Sequence, residues 1–367
     1  MMNFMEIKFK KILKTINHKE LFLAFLLALS LILLVFFIGF YNNKVIIKNP
    51  DPAAHYLLEP NNPLKILSNW DGPNYLKVAR SSYSNASLTI FLPLYPILIH
   101  FLAQVVHSYL DSALIISWIS LVLAIYFYIK ILKLEFNKKD NFSILNYLLF
   151  FLFFPTAVFL VATYTESLFA FLALSAIYFA LKKKYFLSSL SSLLLAITNI
   201  DAILVIFLII LIMFENKENI RKILGYTVLA LSSIISYLLY LKYKFNSPLA
   251  FLASQKSQGW LNHKYLELIT GLNPISLLFV ILLIMSAKYW WTRRKSFSVY
   301  SLSFLLIPIL GNQFGGFNRY LLMAFPMQFM IYDYLKNKPK LLTASLILTT
   351  ICWSYFVFQY VAGYVGG

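Results

Sequence analysis

The chain has few of the residues on which soluble catalytic and metal-binding domains depend. Of its 367 residues only 13% are charged, 14 are acidic, and Cys352 is the single cysteine. One cysteine excludes an intrachain disulfide and a cysteine metal cluster. The five histidines show no metal-ligand spacing, and the 11 glycines include no phosphate-binding motif. The sequence therefore carries no signature of nucleotide hydrolysis.

What dominates instead is apolar sequence. Hydrophobic residues make up 60% of the chain and the mean hydropathy is +0.73, values that exclude a soluble domain. Apolar stretches of about 20 residues, the length that crosses a bilayer, recur from Leu21 to Ala362 and are continuous instead of alternating. This pattern predicts an all-α polytopic membrane protein and not a barrel. The first stretch, Leu21 to Tyr41, is too long for a typical signal peptide and is interpreted as a retained span.

Basic residues set the expected orientation. The net charge of +18 would indicate a nucleic-acid partner in a soluble protein, but here the lysines and arginines cluster in short connections between apolar stretches. The segment Phe91–His107 is apolar yet interrupted by prolines and histidines, and most of the 32 basic residues lie on the cytoplasmic side only if this segment does not cross the membrane. The positive-inside rule therefore predicts about eleven spans, a cytoplasmic segment 1–20 and an external C-terminus.

The expected spans form one domain, residues 1–367, without an internal repeat. They are 21–41, 112–133, 144–162, 165–182, 185–199, 201–215, 223–242, 272–291, 297–312, 319–335 and 341–362. Hydrophilic sequence is concentrated at residues 42–90 and 243–271. The first stretch belongs to a first external loop, 42–111, which is expected to carry short interfacial helices, and the second forms a second external loop.

The acidic residues point to a functional face, because an ionisable group near a membrane is costly and is by default a functional candidate. Asp71 lies in the first external loop, and Glu166 and Asp201 lie at the expected external starts of two spans. Arg319 would lie at another such start, where a guanidinium and free backbone amides suit a phosphodiester. These groups should converge on one membrane face.

Each candidate also has a structural interpretation. Thr163-x-x-Glu166 and Thr198-x-x-Asp201 fit the capping box of a helix start. Asp71 fits the N-cap of a short helix from Gly72 to Tyr83, with Pro73 in the first turn. Arg319 fits interfacial snorkelling. Capping and catalysis are compatible, since a capped carboxylate is a rigidly positioned one.

Several blocks together resemble a known family. They are NWDGPNYL at 69–76 with FLPLYP at 91–96, FPTAVF at 154–159 with YTESLFA at 164–170, SPLAF at 247–251 with Gln255 and Trp260, and Arg319-Tyr320 followed by an apolar run to Pro326. In this order, over most of the chain, they resemble the PIG-V-like mannosyltransferases, relatives of GPI mannosyltransferase 2 in the GT-C glycosyltransferase class.

The resemblance implies a GT-C-like bundle and an inverting transfer of a sugar, mannose in the family, from a polyprenyl-phosphate-sugar to a hydroxyl of a lipid-linked or glycan acceptor. It implies that Asp71 is the general base and that Glu166 orients the acceptor or supports Asp71. The expected substrate-binding residues are Trp70, Asn74, Tyr95, Tyr164, Asp201, Gln255, Arg319 and Tyr320. A phosphate that is already attached to a lipid can leave without a nucleotide, so the transfer does not require a metal. The paired carboxylates are nevertheless compatible with a divalent ion.

The chain departs from the family at three places. Thr198 to Ala202 stands where relatives often have a basic residue and a glycine, Ser247 replaces an acid before Pro248, and Asn74 replaces a histidine of some relatives. The first departure puts phosphate binding at 198–202 in doubt, and the sugar and the acceptor stay open, as does the need for a partner subunit.

A transporter or flippase of lipid-linked sugars is the competing class. Transporters typically show inverted repeats, broken helices and ionisable groups near the bilayer midplane, whereas these candidates gather at one interface. Membrane lipid is an expected partner and nucleic acid is not. The expected location is the plasma membrane if the cell is prokaryotic and the endoplasmic reticulum if it is not, with the active site on the external or luminal face.

Overall fold

The computed structural model describes residues 17–43, 49, 61–136, 141–257, 274–306, 308 and 317–364, and every regular element in these ranges is helical. The α-helices are α1 His18–Asn43, α2 Asp71–Ser81, α3 Leu94–Val106, α4 Tyr109–Phe136, α5 Asn141–Leu152, α6 Glu166–Leu181, α7 Tyr185–Ala196, α8 Ala202–Glu215, α9 Ile220–Phe245, α10 Ala250–Ser257, α11 Pro274–Trp291, α12 Lys295–Ser303, α13 Phe317–Tyr320, α14 Phe325–Leu335 and α15 Pro339–Val361. Short 3-10 helices cover Pro63–Leu67, Ala86–Ile90, Ala157–Leu160 and Leu321–Met323.

Five described helices, α1, α4, α9, α11 and α15, are long and apolar enough to cross a membrane. They are compatible with a multi-pass membrane protein and confirm the all-helical class. The first of them covers the predicted span 21–41, and the predicted spans 112–133, 223–242, 272–291 and 341–362 correspond to the other four.

The remaining predicted spans are shorter or interrupted. Helices α6, α7 and α8 have 16, 12 and 14 residues, or roughly 24, 18 and 21 Å of rise at about 1.5 Å per residue. The predicted span 144–162 ends its α-helix at Leu152, just before Pro155, and 319–335 is broken before Pro326. Only the first part of 297–312 lies in the described ranges. An eleven-span bundle therefore remains a prediction.

The first loop carries the short helices that were expected. Helix α2 begins at Asp71, one residue before the predicted start, and ends at Ser81. Helix α3, within the segment Phe91–His107, has 13 residues, or roughly 20 Å of rise, which is less than the ~30 Å hydrocarbon layer.

Helix α4 lies at the centre of the bundle, where it packs against α1, α3 and α6. Its most apolar window is 61% buried, against 11% for α15, which places α15 at the periphery. Helix α7 approaches α6 closely through small side chains: Ser188, Ser189 and Ser192 are buried, and the Ser188 hydroxyl donates to the Ala176 carbonyl at 2.8 Å. Small residues permit such close helix contacts in membranes.

Ion pairs join the helix ends that lie away from Asp71. Glu20 of α1 pairs with Lys130 and Lys133 of α4 at 2.6 Å each. Arg294 pairs with Glu135 at 2.9 Å and with Glu215 at 3.6 Å, joining α4, α8 and the start of α12. The described charges thus form clusters at two ends of the bundle.

Candidate functional site

Asp71, Glu166 and Arg319 form one ion-paired cluster, although the sequence separates Asp71 from Arg319 by 248 residues. Arg319 Nη1 lies 3.2 Å from Asp71 Oδ2, and Arg319 Nε lies 3.0 Å from Glu166 Oε1. The three side chains are only 10–17% exposed. The sequence predicted that these residues share a face, and in the structure they are in direct contact.

Aromatic rings surround the guanidinium. Arg319 Cζ lies 5.7 Å from the ring centroids of Phe159 and Tyr164 and 5.4 Å from that of Tyr320. Ring faces attract a cation and exclude water, so they hold Arg319 in place and strengthen its interaction with charge. Phe159 was not among the predicted site residues.

The loop before Asp71 is fixed by contacts with distant parts of the chain. The Asp71 amide donates to the Tyr164 hydroxyl at 3.2 Å, and that hydroxyl donates to the Asn69 carbonyl at 3.3 Å. The Asn69 side-chain amide donates to the Tyr360 carbonyl at 2.9 Å, and the Tyr360 hydroxyl donates to the Leu67 carbonyl at 3.0 Å. The last helix therefore helps to position the acid.

Trp70 has a positive φ of 57° with ψ −106°, a sparsely populated backbone conformation. A residue other than glycine pays about 1–3 kcal/mol for such a conformation, which persists where the surroundings impose it. The hydrogen bonds of Asn69 and Asp71 on either side impose it here, and they orient α2 so that its first carboxylate meets Arg319.

Gly72 allows this loop to approach the segment before α6. A Cβ atom at Gly72 would lie 2.3 Å from Thr163 Oγ1 and 2.8 Å from Ser68 Oγ. Thr163 in turn donates to Ser68 Oγ at 2.8 Å, and its amide donates to the Leu67 carbonyl at 2.9 Å. Only glycine fits this junction without displacement of its neighbours.

A small cleft lies beside Arg319. It is lined by Glu166, Asp201, Arg319 and Tyr320, together with Asn199, Tyr300 and other residues, and its volume is about 20 Å³. The Asp201 amide donates to Asn199 Oδ1 at 3.1 Å, which fixes the turn that enters α8. Asp71 does not line this cleft.

Burial raises the pKa of Asp71, and the adjacent Arg319 opposes that rise. The carboxyl loses solvation in the protein, which disfavours its charged form, while the guanidinium favours it. A carboxylate with a raised pKa is a stronger base than an exposed one.

The helix caps predicted at Glu166, Asp201 and Asp71 are not the contacts that these residues make in the structure. Helix α6 starts at Glu166 without a side-chain cap, and Thr163 bonds to Ser68 and Leu67 instead. Helix α8 follows Asp201 without a side-chain cap, and Thr198 donates to the Leu194 carbonyl. Trp70, and not Asp71, precedes α2. Arg319 does not extend to an interface, since it is buried between carboxylates.

Other predicted site residues lie apart from the ion pairs. Tyr95 is fully buried, and its hydroxyl bonds to the Ala113 carbonyl at 3.0 Å and to Ser117 Oγ at 2.8 Å, which joins α3 to α4. Asn74 is half-buried on α2. Gln255 is half-buried on α10, which packs against the turn Ala86–Ile90. Trp260 lies outside the described residues.

Three buried polar atoms around the cluster have no hydrogen-bond partner among the described residues: Trp70 Nε1, Glu166 Oε2 and Asn318 Oδ1. Buried polar groups are nearly always paired, and exceptions gather where a ligand or water completes the pairing. Asn318 was missed by the sequence analysis, although its position next to Arg319 was the available signal.

Within the described ranges, no three His, Cys, Asp or Glu side chains come together as metal ligands.

Comparison of the chain with known protein families, with curated proteins and with solved structures gave no match.

Proposed function

We propose that the protein is a membrane glycosyltransferase that moves a sugar from a polyprenyl-phosphate-sugar to an acceptor hydroxyl, with Asp71 as general base. The observation that carries the proposal is the buried arrangement of Arg319 between Asp71 and Glu166. A guanidinium between two carboxylates supplies both a phosphate-binding group and a proton acceptor within one site.

The proposed reaction is a single displacement. Asp71 takes the proton of the acceptor hydroxyl, the oxygen forms a bond to the anomeric carbon, and the carbon–phosphate oxygen bond breaks with its electron pair on the lipid phosphate. Attack opposite the leaving group inverts the configuration at that carbon. Mannose and a lipid-linked or glycan acceptor are the substrates implied by the family resemblance.

Arg319 would couple phosphate binding to the activation of Asp71. Its present bonds to Asp71 and Glu166 favour the charged forms of both carboxylates. A phosphate that recruits Arg319 would weaken the bond to Asp71, and the pKa of Asp71 would then rise further, because burial is its largest cause. The carboxylate would become most basic when donor is bound.

One observation favours a second candidate, a transporter of lipid-linked sugars. The segment 317–335 is divided into α13, a 3-10 turn and α14, and broken helices beside ionisable groups are typical of transporters. Transport moves its substrate without a covalent change, so the two functions give different products.

The test uses purified protein in detergent, where transport has no compartment to act on. It is mixed with labelled polyprenyl-phosphate-mannose and a lipid extract of the host membranes. Covalent transfer of label, with inversion, is expected for the wild type, and Arg319→Gln should lower kcat/KM about 10²–10³-fold through loss of phosphate stabilisation. Absence of transfer in detergent together with movement of label across vesicles would establish the transporter instead.

A further inference from the structure

A second, larger cavity lies at the C-terminal end of α2, whereas Asp71 is at the N-terminal end of that helix. It is bounded by α2, α3, α7 and α9 and has a volume of about 940 Å³. Pockets for small molecules are usually ~300–1,000 Å³. We call this cavity the α2–α9 groove.

The floor of the α2–α9 groove is aromatic. The ring of Tyr83 lies 5.9 Å from those of Tyr237 and Tyr240. The Tyr83 and Tyr237 hydroxyls donate to the Phe91 and Thr89 carbonyls at 2.7 Å each. Because these hydroxyls are already bonded to backbone, the rings present apolar surface to an occupant.

The mouth of the groove is continuous with an exposed apolar stripe on α3. Ile97, Phe101 and Val105 recur every four residues and are 45%, 68% and 75% exposed, and the first two line the groove. A stripe of this kind on a membrane protein faces lipid tails. An occupant of the groove therefore enters from the bilayer.

Charge at the groove is of one sign. Arg80 is the charged side chain among the described lining residues, and Lys244 Nζ lies 6.0 Å from the ring centroid of Tyr240. None of the described lining residues is acidic. His100 Nδ1 donates to the Ala79 carbonyl at 2.9 Å, which holds the imidazole at the end of α2. This combination is complementary to an apolar chain with an anionic head.

We infer that the α2–α9 groove binds one anionic membrane phospholipid, with its phosphate at Arg80 and its acyl chains along Tyr237, Tyr240 and the α3 stripe. The site is separate from the Asp71 cluster, and the inference does not depend on the proposed transfer reaction.

The test is native mass spectrometry of the full, delipidated protein in detergent, titrated with dioleoyl phosphatidylglycerol or dioleoyl phosphatidylcholine. The wild type should retain one phosphatidylglycerol with an affinity at least about tenfold above that for phosphatidylcholine, since a charge-assisted bond supplies the difference. Arg80→Gln should lose this preference. Lys77→Gln, an exposed cation one turn earlier on the same helix that does not line the groove, should keep it.

A third variant distinguishes lipid bound in the groove from lipid bound elsewhere on the protein surface. Ser236 is exposed at the groove, and Ser236→Trp would fill it without removing a charge. This variant should lose bound phosphatidylglycerol while its melting temperature stays at the wild-type value. Equal binding of the two lipids by the wild type, or equal losses in Arg80→Gln and Lys77→Gln, would overturn the inference. Two other results would also overturn it, because each identifies a different occupant. One is displacement of phosphatidylglycerol by polyprenyl phosphate at a lower concentration than that of the phosphatidylglycerol, and the other is a dimer that the groove variants abolish.

Discussion

Arg319 is the residue on which the other candidate groups depend. Its two ion pairs hold Asp71 and Glu166 in their present positions, and three aromatic rings restrict its own movement. If Asp71 is the general base, Arg319 controls how basic it is, because the guanidinium lowers the pKa that burial raises.

This relation predicts a pH dependence. Transfer needs Asp71 deprotonated, so kcat/KM should fall as the pH decreases through the raised pKa of Asp71. Arg319→Gln removes the interaction that lowers this pKa, and the acid limb of the residual activity should therefore move to higher pH. The measurement is kcat/KM for transfer from pH 4 to 9, a range chosen to span the ordinary carboxyl and imidazole values of about 4 to 6.5.

Lys77→Gln is the control for the pH series, since Lys77 is exposed on α2. If the acid limb of Arg319→Gln lay at the same pH as the acid limbs of the wild type and Lys77→Gln, Arg319 would not control the pKa of the group that titrates. That result would contradict the prediction.

Gly72 provides a stability prediction at the same junction. Gly72→Ala should lower the free energy of unfolding by about 1–3 kcal/mol, because the new methyl group overlaps Thr163 and Ser68. Gly225→Ala is the matched control: a Cβ at Gly225 meets nothing within 4 Å, and alanine in a helix interior is favoured by about 0.5–1 kcal/mol. Thermal unfolding in detergent compares the two, and equal melting temperatures would contradict the packing described at Gly72.

The sequence predicted the charged members of the site because ionisable residues are rare in such an apolar chain. It did not predict that Arg319 pairs with both acids, nor that Tyr360 holds Asn69 across 291 residues. Such contacts depend on how helices pack, and neither hydropathy nor spacing carries that information. The burial of Tyr95 and its bonds to Ala113 and Ser117 were likewise not evident from its motif.

Helix length determines where the site lies along the bundle. Helices α6 and α8 begin near Glu166 and Asp201, and both are shorter than the ~30 Å hydrocarbon layer. Hydropathy predicted both helices to within one residue at each end. It missed the end of α5 and the start of α14, because Pro155 and Pro326 interrupt α-helix within runs that remain apolar. Proline breaks a helix without altering the hydropathy of its neighbours.

The ion pairs of Arg294 should contribute to stability and not to the reaction. Arg294→Gln leaves Glu135, whose side chain is 7% exposed, without its partner and should cost about 1–3 kcal/mol. Lys222→Gln removes an exposed pair with Glu218, one turn apart on the chain, and should cost less than about 0.5 kcal/mol. Unfolding in detergent measures both. A loss for Arg294→Gln as small as that for Lys222→Gln would contradict the proposed contribution.

The whole molecule has two ends with different charge, and the positive-inside rule predicts which end faces out. The Asp71 cluster should be external and the Arg294 cluster cytoplasmic. In a Cys352→Ala background, Lys77→Cys should react with a membrane-impermeant maleimide on intact cells, whereas Asn337→Cys should react only after lysis. Both positions are exposed. The reverse pattern would place the candidate site on the cytoplasmic face.

The central claim is that Asp71 removes the acceptor proton, and a comparison of two amide variants tests it most directly. Asp111 provides the control, because this acid accepts a hydrogen bond from Asn62 at 3.0 Å and has no described contact with Arg319. Transfer of labelled mannose from polyprenyl-phosphate-mannose would be measured in membranes at matched expression. The account predicts near-complete loss for Asp71→Asn and wild-type transfer for Asp111→Asn, and wild-type transfer by Asp71→Asn would contradict it.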